Sequence, residues 1–507
     1  MKFKISKFKK NSNFTKYSSL FLVGFLATFS LPPFSIFPCI FLISISIFYL
    51  LNSNDLKEAF LIGFFLAFGW FLVSLYWISN AILIGGKEFF WMIPFVLLGL
   101  PALLSIFWGL AFFFTNLIGK DITERLFLLS IFLPLFEWLR GNIFSGFPWN
   151  MLGFSLSSPL EFAQTVSFLG PYGQNILIVF LLTIPVSIYY NKKLFFSVVT
   201  IGCTTVLFTS TYIFYNNKIL FTQQNIRIVQ PNFSHFEKWD KSKYLINQEK
   251  LLELSNNESN ENYLIVWPET AIVNFIENIQ EDISYIVENI LYKNSGILVA
   301  GILRKEMINN KEHYYNSMIA IDHNGKILGN YDKKRLVPFG EYNPFKVFFS
   351  FFNFIATDKE FSKGVKSNQF ITLNNLNLFP MICYEAIFPS KAYKDKSYDL
   401  IINITNDIWF GKTLGPEQHF WLAKQRAVET GIPMVRVSNS GISSLIAPNG
   451  KEIESLNFGS AGFLELKIPK KFKQTLYLKF GEKIYYLITS LLILTFVFFK
   501  RRGFNSK

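Results

Sequence analysis

Leu376-Asn377-Leu378-Phe379-Pro380-Met381-Ile382-Cys383-Tyr384-Glu385 reads as an apolar strand that ends on a cysteine and passes into a polar loop. Short β-rich runs of this kind recur at Ile226-Arg227-Ile228-Val229-Gln230, Leu264-Ile265-Val266-Trp267, Gly296-Ile297-Leu298-Val299-Ala300-Gly301, Ser317-Met318-Ile319-Ala320-Ile321 and Leu400-Ile401-Ile402-Asn403-Ile404. Between several of them lie segments of mixed polarity, such as 241 to 256 and 274 to 292, long enough for helices. Strands alternating with helices make a layered α/β domain. His323-Asn324-Gly325-Lys326 and Pro448-Asn449-Gly450-Lys451 add hairpins, because Asn-Gly favours the two-residue turn. The domain is therefore a mixed or sandwiched sheet, with function on the loops at strand ends.

Two more strand ends match the cysteine's. In Val266-Trp267-Pro268-Glu269-Thr270 a strand stops at proline and presents an acid, and Tyr331-Asp332-Lys333-Lys334-Arg335-Leu336-Val337-Pro338-Phe339-Gly340-Glu341 presents a lysine. A thiol with an ordinary pKa of about 8.5 is only a few per cent thiolate at neutral pH, so as a nucleophile it wants a base beside it. No histidine has an obvious claim on that task. Glu269 can take the proton, and Lys333 can stabilise the oxyanion that forms when a thiolate attacks a carbonyl. Alone, each residue has a plain explanation: a buried small hydrophobe for Cys383, solvated surface groups for the others. Three such contexts in one domain single them out as an acyl-transfer set.

Outward from this domain the solvent changes. The chain of 507 residues is 51% hydrophobic and 17% charged, with 60 phenylalanines, and charges are sparse up to about residue 215. A hydrocarbon core about 30 Å thick needs roughly 20 apolar residues in a helix. Candidate spans are 15 to 31, 36 to 50, 59 to 80, 89 to 117, 125 to 140, 160 to 189, 194 to 214 and 484 to 500. The expected organisation is an eight-helix membrane bundle, with helices 1 to 7 over 1–214, a water-exposed domain over 215–483, and helix 8 with a tail over 484–507. Lys2, Lys4, Lys7, Lys9 and Lys10 at one end and Lys500, Arg501, Arg502 and Lys507 at the other mark both termini as cytoplasmic, which puts the 215–483 domain outside the cytoplasm. The first apolar run has a poor cleavage site at Ala27-Thr28-Phe29-Ser30 and reads as an uncleaved span.

Glu137 and Arg140 stand on one face of the fifth run. Either they join helices in the bundle interior, or Arg140 and the following Gly146-Phe147-Pro148-Trp149 line a lipid headgroup site. A second lipid-facing element follows Glu341. The stretch 344 to 356 places Phe345, Phe348, Phe349 and Phe352 at helical spacing with little polar face, which fits a membrane-dipping arm better than a core element.

The net charge of +14 sits partly in the flanks of apolar runs, so nucleic-acid binding is not indicated. Cys39 and Cys203 lie inside apolar runs and no disulfide framework is expected. The histidines His235, His313, His323 and His419 lack ligand-like spacing, so neither a metal nor a cofactor is expected.

Together with Phe136-Glu137-Trp138-Leu139-Arg140, Val229-Gln230-Pro231-Asn232, Asn316-Ser317, Asn406-Asp407-Ile408-Trp409-Phe410-Gly411 and Arg436-Val437-Ser438-Asn439-Ser440-Gly441, these motifs resemble the carbon-nitrogen hydrolase (nitrilase) superfamily, and with the flanking spans its membrane-embedded apolipoprotein N-acyltransferase family. The resemblance covers nearly the whole chain. It implies a nitrilase-like αββα sandwich inserted between transmembrane helices, with Glu269 as general base, Lys333 as oxyanion stabiliser and Cys383 as acylated nucleophile. Glu341 resembles the family's additional essential glutamate, and Tyr384 and Glu385 the residues around the nucleophile. Asn316 is a further supporting residue, and Trp239 resembles the tryptophan of a mobile substrate-contacting loop. Arg140, Trp149 and the four phenylalanines of the arm are candidate substrate contacts. The implied reaction moves an acyl chain from the glycerol carbon-1 position of a phospholipid, through a thioester, to the α-amine of a diacylated apolipoprotein. A monomer in a bacterial inner membrane, with its catalytic domain facing the periplasm, is expected. The competing readings are a membrane-tethered amidase or nitrilase acting on a small polar substrate, and a binding protein with a degenerate hydrolase domain.

Overall fold

The structure, a computed structural model, describes residues 13–256, 263–292, 296–344, 360–364, 371–373, 376–389 and 398–502. It divides into a unit formed by the chain up to Tyr215 with the chain from Phe480 onward, and a unit spanning Asn216–Lys479.

Within Asn216–Lys479 the described strands are β1 (Phe221–Gln230), β2 (Tyr263–Val266), β3 (Ile272–Phe275), β4 (Ile297–Ile308), β5 (Lys311–Ile321), β6 (Ile327–Asp332), β7 (Ile371–Leu373), β8 (Leu376–Ile382), β9 (Leu400–Thr405), β10 (Met434–Ser438), β11 (Ser443–Ile446), β12 (Glu452–Leu456) and β13 (Gly462–Pro469). One sheet runs β13-β1-β2-β4-β5-β6 with β3 attached to β4, and the other runs β12-β11-β10-β9-β8-β7. Their centres, β1-β2-β4 and β8-β9-β10, are parallel. Antiparallel pairs flank them.

Period-two alternation decides what each sheet face meets. Ile226, Ile228, Leu264, Val266 and Met318 of the first sheet share one core with Leu378, Ile382, Ile402, Ile404 and Val437 of the second, so the sheets stack face to face. The intervening residues Ile265, Leu298 and Ile319 turn the other way, onto Leu251 and Leu252 of the Tyr244–Ser255 helix and Ile283 and Ile286 of the Gln280–Ile286 helix. Met381, Ile401 and Met434 pack on Phe420, Ala423 and Ala427 of the Leu414–Thr430 helix. The layers are helix, sheet, sheet, helix: an α/β nitrilase-like sandwich.

Two local expectations change. The helix expected over 274 to 292 starts late, because Ile272–Phe275 pairs in parallel with Ile302 and Leu303 on the extended end of β4. Both Asn-Gly turns join antiparallel neighbours, but through longer loops than two residues. These close from Asp322 N–H to Lys326 O at 3.0 Å and from Ala447 N–H to Lys451 O at 2.8 Å.

In the other unit the predicted apolar runs are helical, and among the described residues five helices are long and apolar enough to cross a membrane: Leu56–Leu75, Lys87–Ile118, Val166–Tyr189, Lys193–Asn216 and Lys483–Arg501. The remaining runs give the shorter helices Asn13–Ala27 and Phe37–Leu51 and the more charged Ile122–Asn142, so several helices have the length and apolar character of spans and a count of eight is not shown. Close packing here uses small residues. A Cβ at Gly24 would strike Leu66 O, and one at Gly69 would strike Phe21 O, so these two glycines let the Asn13–Ala27 and Leu56–Leu75 backbones approach each other directly.

Candidate active site

The functional candidates converge because strands of both sheets end on the same side of the shared core. Glu269 follows β2, and Gly301 of β4 makes room for it, since a Cβ there would strike Thr270 N. Asn316 lies on β5 and Lys333 directly follows β6. The antiparallel register Ser317↔Asp332 sets those two side by side, with Lys333 N–H donating to Asn316 O at 2.9 Å. From the second sheet, Cys383 follows β8 and borders the inter-sheet core.

Lys333 Nζ, 1% exposed, donates to Glu341 Oε1 at 2.9 Å and to Glu269 Oε1 at 3.3 Å. Asn316 Nδ2 bridges the same two oxygens, 2.7 Å from Glu269 and 3.1 Å from Glu341. The second oxygen of Glu341 takes the Val337 N–H at 2.8 Å, which ties the loop after β6 around the lysine. Glu385 does similar work one layer back. Its carboxylate accepts from Ile382 N, Lys334 N and Tyr331 Oη at 2.8, 2.8 and 2.9 Å, so one side chain joins the lysine loop to the cysteine loop. Tyr384 is buried and stands edge-on to Phe388 at 5.2 Å.

Burial alone would lower the Lys333 pKa, but Glu341, Glu269 and Cys383 outweigh it and hold the ammonium above the ordinary lysine value. Burial, and then the Glu269 charge, push the Cys383 thiol up to about 12 against the pull of Lys333 and a Thr405 hydrogen bond. The resting site therefore holds a protonated thiol beside two carboxylates that share the Lys333 ammonium. Such a set can move a proton from sulfur and stabilise negative charge on an oxygen.

Other candidates lie elsewhere or are placed differently. Trp239 ends the short His235–Trp239 helix and is 46% exposed. Trp149 and Arg140 belong to the helical unit and are 1% and 2% exposed. The Arg140 guanidinium donates to both oxygens of Glu137, at 3.2 and 2.8 Å, and to Phe147 O and Trp149 O at 2.6 and 2.9 Å. That geometry matches the packing reading of the pair more closely than an open headgroup site. Phe345, Phe348, Phe349 and Phe352 lie outside the described residues. Among the described residues no cluster of metal-ligating side chains occurs.

Sequence reasoning missed two groups. Lys238 is buried, donates to Glu269 O at 2.7 Å, and is lowered by burial to about 8 against the opposing pull of Glu269 and Cys383. Beside Trp239 it looks like any surface lysine. His419, behind the cysteine, sits on the Leu414–Thr430 helix, whose buried Gln418, His419, Lys424, Gln425 and Arg426 are unusually polar for a core-facing surface. That polarity was a readable signal only with the helix phase known.

The Carbon-nitrogen hydrolase family model matches residues 225–473, and the Apolipoprotein N-acyltransferase N-terminal domain model matches residues 23–184. The chain is 32% identical to the apolipoprotein N-acyltransferase of Rhizobium leguminosarum bv. trifolii over 95% of both chains. It is 32% identical to that of Rickettsia bellii over 95% of this chain and 96% of the relative. Among solved structures, an amidase from Nesterenkonia sp. covers 54% of this chain and 99% of its own at 15% identity, with a TM-score of 0.37, too low to add to the fold already described.

Proposed function

The chain belongs to the apolipoprotein N-acyltransferase family of the carbon-nitrogen hydrolase superfamily, and we propose that it carries a fatty acyl chain from carbon-1 of a membrane phospholipid to the α-amine of a diacylglyceryl-cysteine at an apolipoprotein N-terminus. The observation that carries this reading is the buried Lys333 ammonium shared by Glu269 and Glu341 beside a protonated Cys383.

In the first half-reaction Glu269 takes the Sγ proton as sulfur attacks the ester carbonyl, because a thiol held near pKa 12 is not ionised beforehand at neutral pH. Lys333 stabilises the oxyanion. Collapse breaks the ester C–O bond, Glu269 returns the proton to the glycerol oxygen, and lysophospholipid leaves. In the second half, the acceptor amine attacks the thioester, Glu269 takes its proton, and the C–S bond breaks to give the amide and a thiol that regains that proton. Asn316 and Glu341 hold Glu269 and Lys333 in place, and Tyr384 and Glu385 hold the nucleophile's loop. Both substrates reside in a bilayer, which accounts for the several apolar helices. We place the Asn216–Lys479 unit on the periplasmic side from the basic ends of the chain, and assign the 344–356 stretch to shielding the acyl chain in transit.

The test is mass spectrometry of the purified full-length protein after incubation with phospholipid alone. The Cys383 peptide should gain one acyl mass that hydroxylamine removes and a diacylated lipopeptide accepts. Transfer by Cys383→Ala at the wild-type rate overturns the reading. Turnover of small amides with no acyl uptake from phospholipid would replace it with the amidase reading.

A further inference from the structure

Cys383 stands at φ +50°, in the left-handed region that a residue with a side chain disfavours, so its surroundings must over-determine it. On its N-terminal side Glu385 does this, accepting the Ile382 N–H at 2.8 Å. On its C-terminal side the Cys383 carbonyl faces His419 Nε2 at 3.2 Å. A carbonyl oxygen only accepts, so Nε2 carries a proton and donates it.

The ring has little freedom to do otherwise. Its Nδ1 lies 2.7 Å from Asp407 Oδ1, and Asp407 is itself held by Thr405 Oγ1 at 3.0 Å and by Arg436 Nη2 at 2.7 Å. Arg436 also reaches Asn403. His419, Asp407, Arg436 and Thr405 are each 0% exposed; burial alone would raise the Asp407 pKa, but Arg436 and then His419 outweigh it and leave Asp407 an anion, its pKa lowered to about 2. Thr405 touches the network at a second point, since it also pulls the Cys383 thiol pKa down. Four elements therefore meet behind the nucleophile: the end of β9, the turn after it, β10 and the Leu414–Thr430 helix.

We propose that His419 is a positioning residue for the nucleophile: it holds the Cys383 carbonyl and thereby fixes the Cys383–Tyr384 peptide plane, acting through Cys383 and not on substrate. The peptide group is planar, so pinning its oxygen fixes the whole unit and, with it, the backbone from which Sγ projects. His419 is not the base, because Nε2 is committed to the Cys383 carbonyl, Nδ1 faces both the Asp407 carboxylate and the Arg436 guanidinium at 3.1 Å, and burial with the Arg436 charge holds the imidazole below its ordinary pKa. The inference rests on the thioester reading above, in that Cys383 is taken as the group that must be aimed.

Two variants separate aiming from packing. The amide nitrogen of His419→Gln reaches about where Nε2 stands, and that of His419→Asn only about where Nδ1 stands. Single-turnover acylation of Cys383 at saturating phospholipid should stay within about threefold of wild type in the Gln variant. In the Asn variant it should fall about tenfold to a hundredfold, as misplaced nucleophiles do, with phospholipid affinity unchanged. Iodoacetamide alkylation of Cys383 should follow the same order. Equal rates in the two variants, both folded, overturn the proposal. If wild type alkylates but never acylates, the thioester reading fails while the alkylation order still judges His419. Should either variant not fold, solid-state dephasing decides on unmutated full-length protein carrying 13C-carbonyl cysteine and 15N-histidine. A protonated imidazole nitrogen next to the Cys383 carbonyl supports the role, and an unprotonated one overturns it.

Discussion

Glu137 with Arg140 in the helical unit and Lys333 with Glu269 and Glu341 in the sheet unit are both buried ion clusters, but they differ in how completely charge is answered. The first has one charge of each sign, a bidentate pair, the Trp108 indole N–H on Glu137 at 2.6 Å and two backbone carbonyls taking the rest of the guanidinium. The second has two carboxylates sharing the Lys333 ammonium, with Lys238 buried on the Glu269 carbonyl and held down to about 8, next to a thiol whose pKa is pushed up to about 12. A fully answered pair holds structure. Carboxylates that share a lysine beside a protonated nucleophile form a cluster in which a proton can move.

The largest expected effect lies on the structural side of that contrast. Arg140→Met leaves Glu137 without its cation, at 0% exposure, and should lower the stability of the helical unit by about 3–5 kcal/mol in detergent unfolding. Iodoacetamide should still alkylate Cys383 at the wild-type rate. Undiminished stability with weakened phospholipid binding would break the comparison and restore the headgroup reading of Arg140.

On the chemical side, Lys333→Met and Glu269→Gln should each slow single-turnover acylation about a hundredfold or more, the usual cost of losing a transition-state contact, while phospholipid binding stays within about threefold. Either variant acylating at near wild-type rate would remove its residue from the mechanism.

The smallest effect has a sign that sharpens the contrast. The Glu269 charge raises the Cys383 pKa and the Lys333 charge lowers it. Removing the first should move the thiol titration down in pH, and removing the second should move it up. At about pH 8, alkylation by iodoacetamide should therefore quicken severalfold in Glu269→Gln, although acylation slows, and should slow in Lys333→Met. A thiol titration that moves the same way in both variants would show that these charges do not face Cys383 as described.

The Glu, Lys and Cys strand ends could be read in advance because each is announced within a few residues, by an apolar run that stops and a polar group that follows. β3 could not. Ile272-Val273-Asn274-Phe275 adjoins a helix-like segment, and only the edge of β4 that β2 leaves free beyond Val299 makes it a strand. Strand pairing is a property of the neighbour, which lies outside the local window; Lys333, for example, is aligned by Asn316 across a hairpin.

By itself, then, the sequence determined that the chain has a long apolar part and a more charged part, that the second is layered α/β, and which types of group stand at three strand ends. These follow from local runs and periods, since solvent preference and side-chain alternation act residue by residue. Tertiary structure alone decided that Glu269 and Glu341 share Lys333, that Lys238 is buried against the Glu269 carbonyl, that Arg140 is wrapped by the Phe147 and Trp149 carbonyls, and that His419 stands behind Cys383. Each of these depends on what burial brings opposite a side chain, and desolvation and Coulomb forces act across space without regard to sequence separation.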